Sequence, residues 1–123
     1  MTTRPDPSSF LPLPHLAFHV LLALGQRELH GWAIIKRVRE LTEGTTDPSS
    51  GSLYLSMGKL EERGLLEEAP TRPSPGEDDT RRRYYRLTPL GRRVVEAEAE
   101  RLAGLVNMAR VANILPPTDR GGR

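Results

Sequence analysis

The stretch Arg81-Arg82-Arg83-Tyr84-Tyr85-Arg86-Leu87-Thr88-Pro89-Leu90-Gly91-Arg92-Arg93 holds six arginines and no acid. Arg82 to Leu87 fits a β-strand, and Thr88-Pro89 fits a helix start, with the threonine as cap and the proline at the first position. Alternation puts Tyr85 and Leu87 on one face of the strand and Tyr84 and Arg86 on the other. Leu87 is most simply a core residue, so Tyr85 points inward and Tyr84 outward. The segment therefore places dense positive charge on a hairpin and at the root of the next helix. Such a hairpin can collect nucleic-acid phosphates. Taken alone, it is equally a solvated basic strand.

The partner strand lies just upstream, at Leu65 to Ala69. Between the strands, residues 71–80 contain Pro73, Pro75 and Gly76 and read as a loop. Its tip, Gly76-Glu77-Asp78-Asp79, is acidic and should point away from a phosphate backbone. Before the hairpin the spacing predicts three helices. The first, about 14–26, repeats Leu16, Ala17, Val20, Leu21 and Leu24 and is apolar on most of its circumference, which suits a buried central helix. Leu29-His30-Gly31 reads as a turn. The second helix, about 31–42, sets Ile34, Ile35, Val38 and Leu41 against Lys36, Arg37, Arg39 and Glu40, and ends at Gly44.

The third, about 50–63, is capped by Ser49 and stopped by Gly64. Leu53, Met57 and Leu60 should face the core, with Ser52, Leu55, Ser56, Lys59 and Arg63 opposite. Ser50, Gly51 and Ser52 add backbone N–H groups that a phosphate can approach. After the hairpin a fourth helix runs from 89 to about 112. Val95, Ala99, Leu102, Val106 and Ala109 form one apolar row, and Leu105 and Met108 belong to a neighbouring one. That face is wider than one small domain needs, so a second helix is expected against it.

This order (three helices, strand, loop, strand, helix) is that of a winged helix-turn-helix, in which the third helix enters the major groove and the hairpin rests on neighbouring phosphates. The fold class is mainly α with a small β-hairpin. The expected parts are a flexible N-terminal arm (1–13), the winged domain (14–88), a C-terminal dimerisation helix (89–113) and a flexible tail (114–123).

Four blocks carry a family resemblance. His30-Gly31-Trp32-Ala33-Ile34 resembles the "His-Gly-Tyr" opening of helix 2 in PadR-like transcriptional regulators. Ser49-Ser50-Gly51-Ser52-Leu53-Tyr54 resembles their "Ser-Pro-Gly-Thr-Leu-Tyr", and Leu60-Glu61-Glu62-Arg63-Gly64-Leu65-Leu66 their "Leu-Glu-x-x-Gly-Leu-Ile". Arg82 to Gly91 resembles their "Arg-Lys-Tyr-Tyr-x-Leu-Thr-x-x-Gly". The blocks occur in the family's order and cover about residues 15–92. The resemblance implies a homodimeric DNA-binding regulator, usually a repressor, of the short form with one C-terminal helix. It implies DNA contacts from Ser52, Tyr54 and Lys59 on helix 3, and from Arg82, Arg83 and Tyr84 on the wing. Ser50 and Gly51 at the helix start, Ser56 on the outward face and Arg81 in the arginine run join them by position. It implies a dimer interface drawn from Leu16 and Val20 of helix 1 and Val95, Ala99, Leu102, Leu105, Val106, Met108 and Ala109 of helix 4. A small-molecule effector is a further possible partner. The sequence departs from the family at Ser50, where proline is usual, and at Leu55, where proline or arginine is frequent. An apolar Leu55 suits a thymine methyl group instead.

The 123 residues carry a net charge of only +2, so a case for nucleic acid rests on local distribution and not on a global field. Of 18 basic residues 16 are Arg, the better bidentate partner for phosphate and guanine, though a genome-wide codon bias explains most of that ratio. The chain has no cysteine, which excludes disulfides and a thiol nucleophile and fits a reducing cytoplasm. A secretory signal and a spanning segment are not expected. No catalytic motif surrounds Asp47, His30 or the serines, so no enzyme, cofactor or metal is expected. His15 and His19 have the spacing of two metal ligands, but without Cys or acid nearby they read as core or interface histidines. Trp32 reads as a packing residue, and Tyr54 as a phosphate contact. The alternative function is a winged-helix module that binds an acidic protein partner.

Overall fold

The computed structural model describes residues 5–70 and 83–117. A 3-10 turn at Pro7–Phe10 precedes α1 (His15–Ala23), β1 (Leu29–His30), α2 (Gly31–Leu41), α3 (Ser50–Glu62), β2 (Leu66–Glu68), β3 (Tyr84–Leu87) and α4 (Pro89–Val111).

The core forms where the apolar faces of the four helices meet the sheet. Val20 and Leu21 of α1 are fully buried, among Ile34 and Val38 of α2, Leu53 of α3, Leu65, and Val94 of α4. Local signals fix the helix ends. Ser49 Oγ accepts the Ser52 N–H at 3.1 Å at the start of α3. At its end Gly64 takes φ +79°, and the Leu65 N–H reaches back to the Leu60 carbonyl at 2.9 Å. At the end of α2 Glu43 takes the left-handed conformation at φ +52°, and the N–H of Gly44, itself at φ +84°, reaches back to the Arg39 carbonyl at 2.9 Å.

The sheet has three strands in the order β1-β3-β2, all antiparallel. Leu29-His30, expected as a turn, is the third strand: Leu29 pairs with Tyr85 and His30 with Tyr84. Two residues are too few to show a period. His30 also opens α2, its Nδ1 accepting the Ala33 N–H at 3.3 Å.

The N-terminal segment is also packed, from Pro7 on, against the expectation of a loose arm. Asp6 caps the 3-10 turn through the Ser8 N–H at 3.0 Å. Phe10 and Leu11 lie against the core, and Leu13 belongs to it. Proline prevents an α-helix here but suits a short turn, and the three apolar side chains supply burial that the proline count conceals.

The root of α4 is held on the junction between α3 and β2. Thr88 Oγ1 accepts the Gly91 N–H at 2.9 Å and donates to the Gly64 carbonyl at 2.6 Å. Gly91 lies so close to Leu65 that a β-carbon would stand 2.8 Å from the Leu65 carbonyl carbon. Gly91, Val94, Val95 and Glu98 are buried. From Ala103 to Met108 every residue of the helix is exposed.

Candidate nucleic-acid interface

The side of α3 opposite Leu53, Met57 and Leu60 is formed by Gly51, Leu55, Gly58 and Glu62. Ser52 and Lys59 lie on one flank of it, Tyr54 and Glu61 on the other. All of these are exposed, as is Ser50. Ser50 and Gly51 are in the first turn, where backbone N–H groups have no acceptor within the helix. The last turn carries Glu61 and Glu62, which phosphate would repel, so the N-terminal half is the part suited to a nucleic acid. Ser56, expected on this face, is half-buried. It turns toward the N-terminal segment and lines a small cavity with Leu13, Pro14 and Ala17.

Tyr54 joins α3 to α2. Its ring occupies the space a side chain at position 31 would need, with Cζ 2.7 Å from where a β-carbon on Gly31 would stand. This contact gives a physical reason for glycine after His30, and it leaves Tyr54 half exposed. Tyr85 lies near it. Burial, aided by Glu61, Glu68 and Tyr54 and opposed by Arg83, pushes the Tyr85 phenol above its ordinary pKa, so it remains an uncharged hydroxyl.

Trp32 is not a packing residue. It is 56% exposed, because the buried row of α2 is Gly31, Ile34, Ile35 and Val38, and Trp32 falls beside that row. Trp32, Lys36 and Arg39 share one flank, and Arg39 bonds Asp47 at 3.0 Å in the loop leading to α3. That flank therefore adjoins the start of α3, and the Arg39 guanidinium lies 5.8 Å from the Trp32 ring centre.

The arginines of the opening stretch divide by role. Arg83 is exposed at the start of β3. Arg81, Arg82 and the acidic tip Glu77-Asp78-Asp79 lie outside the described residues. Arg86 faces its cross-strand partner Glu67 and bonds it at 2.8 Å, with Glu28 at 3.9 Å. Arg92 donates to the Gly25 carbonyl at 2.6 Å, closing the end of α1. These last two are bonded within the fold. Tyr84, expected to point outward, is half-buried, with its ring edge-on to His30 at 5.2 Å.

The residues expected at a dimer interface also separate. Val20 is 0% exposed and Val95 nearly as buried. Both belong to the protomer's own core and have no side-chain surface for a partner, because the face of α4 that carries Val95 spends its first half on the domain. The same face continues through Leu102, Leu105, Val106 and Ala109 past the domain's edge. Leu105 and Val106 are exposed there, as are Met108 and Val111 on the next row. Leu16 is half-buried and Ala99 exposed.

The rings of His15 and His19 are 5.8 Å apart. Burial, and then His15, lower the pKa of His19. Among the described residues no group of three or more His, Cys, Asp or Glu could hold a metal ion, and no helix is long and apolar enough to cross a membrane.

Residues 20–97 match the sequence profile of the transcriptional regulator PadR-like family. The chain belongs to that family. Its members are DNA-binding transcriptional regulators and not enzymes. The chain is 22% identical to a PadR family transcription regulator from Clostridium difficile R20291, covering 79% of this chain and 96% of that one with a TM-score of 0.67. It is 23% identical to a PadR-like regulator from Bacillus cereus, covering 84% and 93%, TM-score 0.63. At these identities the likeness establishes the winged-helix fold. The chain is also 36% identical, over 86 residues, to an uncharacterised 37.1 kDa protein in a Streptomyces fradiae transposon. The match covers 70% of this chain but only 22% of that relative's length.

Proposed function

We propose that this PadR-like protein acts as a homodimeric repressor. Two protomers join along the projecting halves of α4, and each presents α3 to a half-site of a pseudo-palindromic operator. The observation that carries this reading is the apolar face of α4, which leaves the domain after Glu98 and continues through Leu102, Leu105, Val106 and Ala109, with Leu105 and Val106 exposed. A helix face of that kind in water is covered by another helix of the same kind. A two-fold pair would set the two α3 helices about 34 Å apart, one turn of duplex.

Ser50, Gly51, Ser52 and Lys59 would meet the groove or its rim, and Arg81, Arg82 and Arg83 the phosphates beside it. Tyr54 reaches DNA only with the part of its ring that Gly31 leaves uncovered. A small-molecule effector would have room in the cleft of about 550 Å³ at the root of α4, lined by Leu24, Arg27, Arg86, Leu87, Arg92 and Arg93.

The test is selection of bound duplexes from a random pool at stated salt, together with sedimentation of the free protein. A two-fold symmetric motif bound by a dimer supports the proposal. A protein that is monomeric at micromolar concentration removes the homodimer. Retention on an acidic protein but not on duplex DNA favours the interaction-module alternative.

A further inference from the structure

We infer that Leu55 reads the 5-methyl group of a thymine, making it a determinant of sequence specificity. The inference rests on the reading of α3 as the helix that enters the major groove. Leu55 is 65% exposed at the middle of α3's outward face. Gly51 precedes it by four residues and Gly58 follows by three, so both are its neighbours on that face. At each glycine the space a β-carbon would fill is empty, and neither takes the positive φ that favours glycine. Among the described residues nothing calls for glycine at 58, and glycine within a helix weakens it. At the centre of α3's outward face Leu55 therefore stands between two bare glycines, with Glu62 at the far end of the face.

That shape suits a close approach by something rigid with one small apolar feature. The edges of base pairs in the major groove offer hydrogen-bonding groups and a single kind of apolar group, the thymine methyl. Phosphates offer Leu55 nothing. A protein partner would call for a continuous apolar patch, whereas the neighbours of Leu55 on its flanks are Ser52, Lys59, Tyr54 and Glu61. The polar flanks suit the groove walls, with Lys59 available to a phosphate or a guanine.

The experiment uses the full chain and the duplex recovered by selection, with each thymine replaced in turn by uracil, which lacks only the methyl group. Loss of one buried methyl-sized contact corresponds to about four-fold in affinity for one half-site and about fifteen-fold when both are changed. The wild-type protein should show that loss at one thymine per half-site. Leu55→Ala should bind the thymine and uracil duplexes equally, with an unchanged salt dependence and an unchanged melting temperature. Equal uracil sensitivity in wild type and Leu55→Ala would overturn the assignment, as would sequence-selective binding with no uracil effect at any thymine. Binding of random and selected duplexes alike would instead overturn the reading of α3 itself, and the role of Leu55 with it.

Discussion

The carboxylate of Glu98 accepts the backbone N–H of Leu13 at 3.0 Å, across 85 residues of sequence, and the Arg101 guanidinium holds the same carboxylate at 2.6 and 3.0 Å. One buried acid thus ties the segment before α1 to the middle of α4. Replacing Glu98 by Ala leaves the Leu13 N–H without its partner and should cost about 1–3 kcal/mol in chemical denaturation.

That carboxylate also gives the fold an acid-sensitive element. The hydrogen bonds from Arg101, assisted by the Leu13 N–H and opposed by burial, hold the Glu98 pKa below its ordinary value of 4.5. A carboxyl depressed in the folded state contributes stability that is present above its unfolded pKa and lost as pH falls through the folded one. Glu98→Gln lacks this contribution at every pH. The difference in melting temperature between wild type and Glu98→Gln should therefore be largest near neutrality and shrink below about pH 4.5. A difference that stays constant down to pH 3 would remove the ionised carboxylate from the account.

Gly91→Ala should be among the most damaging single changes in the domain. The added carbon meets the backbone of Leu65, which cannot rotate aside as a side chain would. A loss of about 3 kcal/mol or more is expected. Gly31→Ala meets Tyr54, a half-exposed side chain that can swing away, so its cost should be smaller and largely relieved when Tyr54 is also Ala. A thermodynamic cycle over the two positions measures that coupling.

Leu105→Glu and Met108→Glu should separate assembly from folding. Both side chains are exposed in the protomer, so neither charge enters the core. At micromolar concentration sedimentation should report a monomer, with helix content near that of the wild type. Val95→Ala, by contrast, should lower stability at unchanged stoichiometry, by about 1–3 kcal/mol.

Arg82 and Arg83, changed together to Ala, should weaken binding to every duplex and reduce the magnitude of the log–log salt slope by about 2 per bound protomer, about 4 for a dimer. Arg86→Ala should leave the slope unchanged and lower stability instead, because Arg86 is bonded to Glu67 and not to solvent counterions.

Much of this architecture is legible in the residues. Ser49, Thr88-Pro89, Gly44 and Gly64 mark helix ends by chemistry that acts over three or four residues, and the rows Leu53-Met57-Leu60 and Ile34-Ile35-Val38 select buried faces. What depends on distant partners is hidden. Leu29-His30 becomes a strand only because β3 lies beside it. Glu98, in the run Glu96-Ala97-Glu98-Ala99-Glu100, has the look of a solvated acid. Its spacing of three and four from Val95 and Val94 was the one available sign that it faces inward. At the candidate interface, Lys59 and Ser52 are on the surface as their helical positions imply. The inward turn of Ser56 depends on the N-terminal segment that packs beside it, and the outward position of Trp32 on which residues of α2 form its buried row.

The short segment from Phe10 to Leu13 grips two helices at once. The Phe10 ring carries the Arg63 guanidinium at 4.5 Å, at the end of α3, and Leu13 is bonded to Glu98 on α4. With Gly91 seated on Leu65 at the other end, the first half of α4 cannot rock without carrying α3 along. Each protomer is then a rigid jaw with a protruding handle. In the proposed dimer the gap between two such jaws would be set by how the handles cross, so a change of a few degrees there would pull both tips out of step with the helical repeat of the duplex.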